Sequence, residues 1–219
     1  MPFDLTTGHL TFFQVANRTG KPSDSLPKVL THWTAWSESC DHLADTTICL
    51  TLHDSIVVDP TNIHSVNEHN DEVGPKIDLT GHRGYMVVTA FATDPSCTIP
   101  SCLVDCALTG VFTMTNTGSG SSFGSAAFGF HSDGSQTKVP SLIQATDVDL
   151  LTFDPTTLDD SEVILIPVEE GAGRFPGELG PPAKAVSGGT AVTASVAFFD
   201  NLEAMISPPD VNIPCALFT

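Results

Sequence analysis

The apolar residues of this chain fall in short segments in which apolar and polar positions alternate. In residues 29–36, for example, Trp33 and Trp36 fall on opposite sides of the predicted strand. Residues 85–92 and 163–168 are apolar at almost every position, which is typical of strands buried on both faces. No segment has the i, i+3, i+4, i+7 spacing of an amphipathic helix over three turns. Further strands are predicted at residues 11–16, 48–52, 56–58, 108–114, 127–131 and 190–199.

Turn-forming residues interrupt these segments at the intervals expected of an all-β protein. The 16 prolines and 17 glycines separate about eight to ten strands. We therefore predict an all-β fold, an antiparallel β-sandwich of jelly-roll type with little or no helix. No internal repeat or linker divides the chain, so residues 1–219 are predicted to form a single domain. The Pro- and Gly-rich residues 171–189 are predicted either to cross between the sheets or to fold over a surface.

The six cysteines predict a disulfide-stapled protein of an oxidising compartment. Their number is even, and Cys40 and Cys49 bracket a short segment as the ends of a hairpin staple do. We expect a Cys40–Cys49 bridge, a bridge from Cys215 into residues 97–106, and a local bridge between the two cysteines left there. Zinc is the alternative, but no pair is spaced C-x-x-C and residues 97–106 contain no histidine. The six are Cys40, Cys49, Cys97, Cys102, Cys106 and Cys215.

The charge of the chain limits the partners and the location that we expect for this protein. The net charge is −18, from 26 acidic and 8 basic residues, and no basic cluster interrupts the acidity. Such a chain repels nucleic acid and anionic lipid. No apolar run is long enough to span a membrane. We expect a secreted or cell-surface protein, and because residues 1–4 do not resemble the start of a signal peptide, we expect that a signal was removed.

One sequence motif suggests catalysis. Residues 120–124 match the G-x-S-x-G nucleophile elbow, with Ser122 in the position of the nucleophile. The elbow works only where a strand turns sharply into a helix, and residues 125–129 have poor helical character. We therefore predict a Ser/Gly loop, and a protein that is not an enzyme.

Two acidic or histidine-rich regions are candidate metal sites. His64 and His69 lie close together among carboxylates, a set that suits zinc, copper or nickel. A cluster of acidic residues before the strand at 163–168 suits calcium, which prefers oxygen ligands. In both regions the simpler alternative is a solvated polar loop. We expect no required cofactor, with calcium as the one candidate, and the calcium candidates are Asp154, Asp159, Asp160 and Glu162.

Because no catalytic set emerges, we expect a structural subunit that assembles with copies of itself into a fibre or surface array. Residues 1–16 are the predicted assembly segment, in which a polar arm, 1–9, precedes a strand able to add to a sheet edge. The assembly residues would be Phe12, Phe13 and Val15. The alternative is that residues 11–16 pair within their own sheet. The alternative function is a calcium- or sugar-dependent adhesion module.

Overall fold

The computed structural model describes residues 1–18, 28–39, 41–104 and 107–127, and the backbone of six short strands beyond residue 127. The described elements are strands and turns, which confirms the all-β prediction. The first eleven strands are β1 (Pro2–Asp4), β2 (His9–Asn17), β3 (Lys28–Ser37), β4 (His42–Thr51), β5 (Ser55–Val58), β6 (Ile63–Val66), β7 (Glu72–Ile77), β8 (Arg83–Thr93), β9 (Pro100–Leu103), β10 (Leu108–Asn116) and β11 (Ser121–Ala126).

These strands form two sheets that pack face to face. The large sheet has the order β1-β8-β3-β4-β6-β7, and β9 also pairs with β8. The small sheet has the order β11-β10-β2-β5, and all its pairs are antiparallel. One pair of the large sheet, β4 with β6, is parallel. Pairs between strands distant in sequence, such as β3 with β8 and β2 with β10, join the hairpins of successive strands into these two sheets.

The core lies between the two sheets. Phe13 and Val15 of β2 and Phe112 of β10 enter it from the small sheet, and Trp33 of β3 enters it from the large sheet. The ring centroids of Phe13 and Trp33 lie 6.5 Å apart. Alternation therefore decides burial in β2, whose odd-numbered residues from Thr11 to Asn17 are all buried.

The large sheet is buried on its other face too. Trp36 is fully buried and contacts His42 edge to face at 5.4 Å, on the opposite side of β3 from Trp33. His32 and Thr34, on the same side as Trp36, have no exposed surface. At the end of this face the Cys49–Cys97 disulfide packs with Leu30. The prediction that residues 85–92 form a central strand buried on both faces is confirmed by β8.

The N-terminal segment is part of the fold, which differs from the predicted mobile arm. Pro2–Asp4 pairs with β8, and Phe3 is fully buried. The hydroxyl of Thr11 bonds both the N–H and the carbonyl oxygen of Asp4, which fixes β1 against β2. A polar sequence with a single buried phenylalanine gave too weak a pattern to predict this strand. Exchange of residues 1–16 between molecules stays a prediction.

Six short strands beyond residue 127 form three antiparallel pairs. They are β12 (Ile164–Leu165) with β17 (Leu217–Phe218), β13 (Val192–Ala194) with β16 (Val211–Ile213), and β14 (Phe198–Phe199) with β15 (Met205–Ile206). Three of them fall inside the strands predicted at 163–168 and 190–199. Residues 171–189 lie outside the described residues, and the single-domain assignment stays a prediction.

Candidate assembly surface

Cys49 is bonded to Cys97, with a Cα–Cα distance of 5.9 Å. The predicted Cys40–Cys49 bridge is therefore wrong. Residues 42–51 form the extended strand β4, so about eight residues at roughly 3.3 Å each separate Cys49 from the strand's start, far beyond the reach of a disulfide. Cys49 instead lies at the end of β4 where the turn carrying Cys97 folds over the sheet.

The other cysteines do not test the remaining pairings. Cys40, Cys106 and Cys215 lie outside the described residues, and only the backbone of Cys102 is described, in β9. The bridge from Cys215 stays a prediction. What the structure does show is that this chain forms a buried disulfide between two distant segments.

Of the two candidate metal regions, the structure describes the one that contains His64 and His69. His64 lies in β6 with its Nε2 3.8 Å from a Glu72 oxygen, whereas His69 lies in the following turn, 3.3 Å from a Glu68 oxygen. The histidines thus face different carboxylates. Within the described ranges no three His, Cys, Asp or Glu side chains are arranged to hold a metal ion. The calcium candidates Asp154, Asp159, Asp160 and Glu162 lie outside the described residues, so both proposals stay predictions.

The G-x-S-x-G motif spans a turn and a strand of a hairpin. Gly120 is the last turn residue, with a φ of 72°, and Ser122 lies in β11 opposite Thr115. The two hydroxyl oxygens of Ser122 and Thr115 are 3.0 Å apart. This antiparallel hairpin lacks the strand-to-helix turn that an elbow requires. The predicted Ser/Gly loop is shorter than expected, because Ser121–Ala126 is strand.

A cluster of ionisable residues that the sequence did not reveal lies on the outer face of the large sheet. Asp45 has one carboxylate oxygen 3.2 Å from His32 Nε2 and the other 2.8 Å from His42 Nε2. A bulge in β4 brings His42 onto the face of Asp45, since Ala35 pairs with Ala44 and Trp36 with His42. Burial by itself raises the pKa of Asp45, but the contacts with His32 and then His42 outweigh it and lower that pKa. These contacts therefore favour the ionised form of Asp45 in the fold.

The outer face of the small sheet is exposed and uncharged. We call it the open face. It is defined by the side chains that alternate with the core residues, placed by the strand registers: Leu10, Phe12, Gln14 and Ala16 of β2, Ser55 and Val57 of β5, Thr109, Val111, Thr113 and Thr115 of β10, and Ser122, Gly124 and Ala126 of β11. In a chain with a net charge of −18, none of these positions is acidic, basic or histidine.

Four large apolar side chains stand on the open face. Leu10 is 43% exposed, Phe12 42%, Val57 65% and Val111 45%. Val57 and Val111 lie in one row across the sheet, on either side of Gln14. Exposed apolar groups that cluster in this way on one face mark interaction surfaces more often than single scattered ones do.

Two pairs of polar side chains on the open face bond to each other. The side-chain amide of Gln14 donates to the hydroxyl of Ser55 at 3.1 Å. Nearer the β11 edge, Thr115 and Ser122 share a hydrogen bond of 3.0 Å. These two bonds lower part of the cost of desolvation when a partner covers this face.

The three predicted assembly residues divide between the two sides of β2. Phe12 lies on the open face, whereas Phe13 and Val15 are buried in the core. Both edges of β2 are paired, with β5 on one side and β10 on the other. In this chain residues 11–16 therefore pair within their own sheet, as the alternative expected, and of the three Phe12 is available to a partner.

Comparison of the chain with protein-family models, with curated proteins and with solved structures gave no match. Among the residues that the structure describes, none belongs to a helix with the length and apolar character of a membrane span.

Proposed function

We propose that this protein is an extracellular structural subunit that assembles with copies of itself, through β-sheet contacts, into a fibre or surface array. The observation that carries the proposal is the open face, where four large apolar side chains are exposed and none of the positions that define the face is charged. An apolar face of this kind gains free energy when water is excluded from it.

The charge of the chain favours this face over others for self-association. Two copies that each carry a net charge of −18 repel one another wherever their acidic surfaces meet. The open face keeps charged side chains out of the contact, and salt weakens the repulsion that remains between the rest of the two surfaces. Association should therefore become stronger, not weaker, as the salt concentration rises.

The size of the open face indicates a repeated contact of modest strength. Four strands about 4.8 Å apart and about 20 Å long give a footprint of roughly 400 Å². Stable protein interfaces bury about 800 Å² on each partner. A single contact through this face is thus weak, and a stable assembly needs either many such contacts or a second one.

The extracellular location is supported by the disulfide. Cys49 and Cys97 are 2% and 4% exposed, and their bridge joins segments 48 residues apart. Structural disulfides of this kind persist in oxidising compartments and are rare in the cytosol.

Matched lysine substitutions test the proposal. Val111 on the open face is 45% exposed and Val73 of β7 is 41% exposed, so Val111→Lys and Val73→Lys add the same charge at similar exposure on different surfaces. Sedimentation velocity of the wild type should show an average mass that rises with concentration, more at about 0.5 M salt than at about 0.02 M. Val111→Lys should weaken association at least ~10-fold, because the lysine would be desolvated in the contact, and Val73→Lys should behave as the wild type.

The proposal is wrong if the wild type stays monomeric at high concentration in salt and in calcium, or if both lysine variants associate equally well. In that case the calcium- or sugar-dependent adhesion module becomes the better proposal. Calorimetric titration with calcium, of the wild type and of Asp159→Asn, would then test the acidic residues on which that alternative depends.

A further inference from the structure

Strand β11 is an exposed edge of the small sheet. All six of its residues are exposed, so neither of its faces is covered by the large sheet. Among the described strands it pairs with β10 alone. Phe123, on the inner side, packs edge to face on Phe112 at 5.7 Å and is still 57% exposed. A further strand beside β11 would meet no obstacle from the described residues of the large sheet.

The other described edge strands carry features that discourage pairing with another chain. β7 contains Glu72, Pro75 and Lys76, and β5 is four residues long with an aspartate directly before and after it. The strands at the opposite edge of the large sheet, β1 and β9, are short and each contains a proline. Charges, prolines and short length are the common protections of sheet edges. β11 has neither a charge, nor a proline, nor a bulge.

The register shows which backbone groups of β11 point away from its neighbour. The N–H of Ala127 donates to the carbonyl oxygen of Gly110 at 2.8 Å. In an antiparallel pair such bonded positions alternate, so Phe123 and Ser125 also direct their backbone groups to β10. Ser122, Gly124 and Ala126 therefore direct their N–H and C=O groups to the open edge. Their side chains, which lie on the open face, are all small.

We propose that β11 pairs antiparallel with β11 of a second copy, around a two-fold axis through Phe123, which deepens the proposed function and rests on it. In this register Ser122 lies opposite Gly124 of the partner, and Ser121 opposite Ser125. A two-fold contact requires a surface that is complementary to itself. The strand meets this requirement, because its positions on either side of Phe123 are small and uncharged.

The second copy is the occupant that the side chains favour. On the two-fold axis the exposed Phe123 rings of both copies face each other at a non-hydrogen-bonded pair, the position where cross-strand side chains lie closest. Ser121 and Ser125 supply hydroxyl pairs on either side of the rings. Burial of Phe123 in this contact removes the largest exposed aromatic surface of the hairpin from water.

The pairing also enlarges the open face. A two-fold axis perpendicular to the sheet keeps both open faces on the same side, so the two small sheets become one sheet of eight strands. Its uncharged surface is about 800 Å², twice that of one copy and the size of a stable interface on each partner. Edge pairing thus supplies the second contact that the open face alone lacks.

Amide hydrogen exchange at single-residue resolution tests the pairing. On going from a dilute to a concentrated solution, the N–H groups of Ser122 and Gly124 should become at least ~10-fold slower to exchange, because each gains a hydrogen bond to the partner strand. Those of Phe123 and Ser125 are bonded to β10 in the monomer and should change less. An assembly through the open face alone would leave the N–H groups of Ser122 and Gly124 exchanging at the same rate.

A proline substitution supplies the second readout. Ser122→Pro removes an outward N–H and leaves the backbone bonds to β10 in place, as a proline on an edge strand can. It should weaken association at least ~10-fold with little change in the thermal unfolding temperature. Ser122→Ala, which loses the same hydroxyl and keeps the N–H, is the matched control and should associate as the wild type does.

The outcomes separate the two proposals. Concentration-dependent association with unchanged exchange at Ser122 and Gly124, and with a Ser122→Pro variant that associates normally, overturns the edge pairing and leaves assembly through the open face. A wild type that stays monomeric overturns both.

Discussion

Removal of the Cys49–Cys97 disulfide is expected to destabilise the fold severely. The bridge joins residues 48 positions apart, and a closed loop of this length restricts the unfolded chain enough to stabilise the folded state by about 4 kcal/mol. Replacing both cysteines with alanine should therefore lower the free energy of unfolding by about that amount, which corresponds to a drop of about 8–16 °C in Tm for a chain of this size. The double variant keeps an even number of cysteines, four, for the remaining pairs.

The two tryptophans make the measurement direct. Trp33 and Trp36 are 1% and 0% exposed, so their fluorescence reports the loss of both faces of β3 during unfolding in urea. Reduced wild-type protein should unfold at a urea concentration no higher than that of the alanine double variant, because reduction also breaks any disulfides among the other four cysteines. A loss of stability below about 1 kcal/mol would show that chain entropy is not what this bridge contributes. Peptide mapping that found Cys49 bonded to another cysteine would contradict the pairing itself.

The backbone conformation at Cys97 predicts a difference between two variants that both lack the disulfide. Cys97 has a φ of 58°, in the left-handed region where a side chain is unfavourable and glycine is not. Cys49→Ala with Cys97→Gly should therefore be more stable than the alanine double variant by roughly 1 kcal/mol. If the two double variants are equally stable, the left-handed backbone at residue 97 does not persist without the disulfide.

Two further predictions concern the large sheet. The pKa of Asp45 in the folded protein lies below its unfolded value, so this carboxylate stabilises the fold above about pH 4 and loses that effect as the pH falls through the lowered pKa. Asp45→Asn should be less stable than the wild type in urea unfolding at about pH 6, and the difference should shrink at about pH 2.5; a constant difference would contradict the role of the charge. A Cβ on Gly84 would overlap the carbonyl oxygen of Trp36 and lie 2.9 Å from the Cα of Ser37, so Gly84→Ala should lose at least about 2 kcal/mol. Gly74 has open space around it and a φ of 80°, so Gly74→Ala should lower the free energy of unfolding by only about 1 kcal/mol. Thermal unfolding of both alanine variants measures the two losses, and equal losses would contradict the clash.

The strands that the sequence predicted best are those with one or two buried faces. Residues 11–16, 29–36 and 85–92 lie in β2, β3 and β8, because alternation or a continuous apolar run records burial directly. The strands that the sequence did not predict have neither alternation nor a continuous apolar run. β7 has the sequence EVGPKI, is almost entirely exposed, and is a strand only because β6 supplies a partner.

The error in the disulfide pairing has the same origin. Residues 42–47 are largely polar, which favours a short loop between Cys40 and Cys49 over a strand. The strand β4 nevertheless begins at His42. These residues are extended because they pair with β3 along its whole length. A cysteine's partner depends on which strands lie side by side, and local spacing contains little of that information.

The open face was visible in the sequence only at β2, where an apolar side chain, Phe12, alternates with the core residues. Its neighbours come from β5 and β10, which are about 40 and 100 residues away in the chain. Val57 and Val111 are unremarkable in their own segments. The order of the strands brings apolar positions from three separate segments into one surface, and no local pattern predicts that order.

The structure also separates two ways in which this chain can assemble. Exchange of residues 1–16 requires β2 to leave β5 and β10, and it takes Phe13 and Val15 out of the core before a partner can replace them. The replacement restores the same contacts, so exchange gains little free energy, and its barrier approaches that of unfolding the small sheet. Pairing of β11 breaks no contact in the described part of the chain, and it adds hydrogen bonds and buries Phe123. The proposed edge pairing therefore requires no unfolding, and we expect it to form faster than the exchange of residues 1–16.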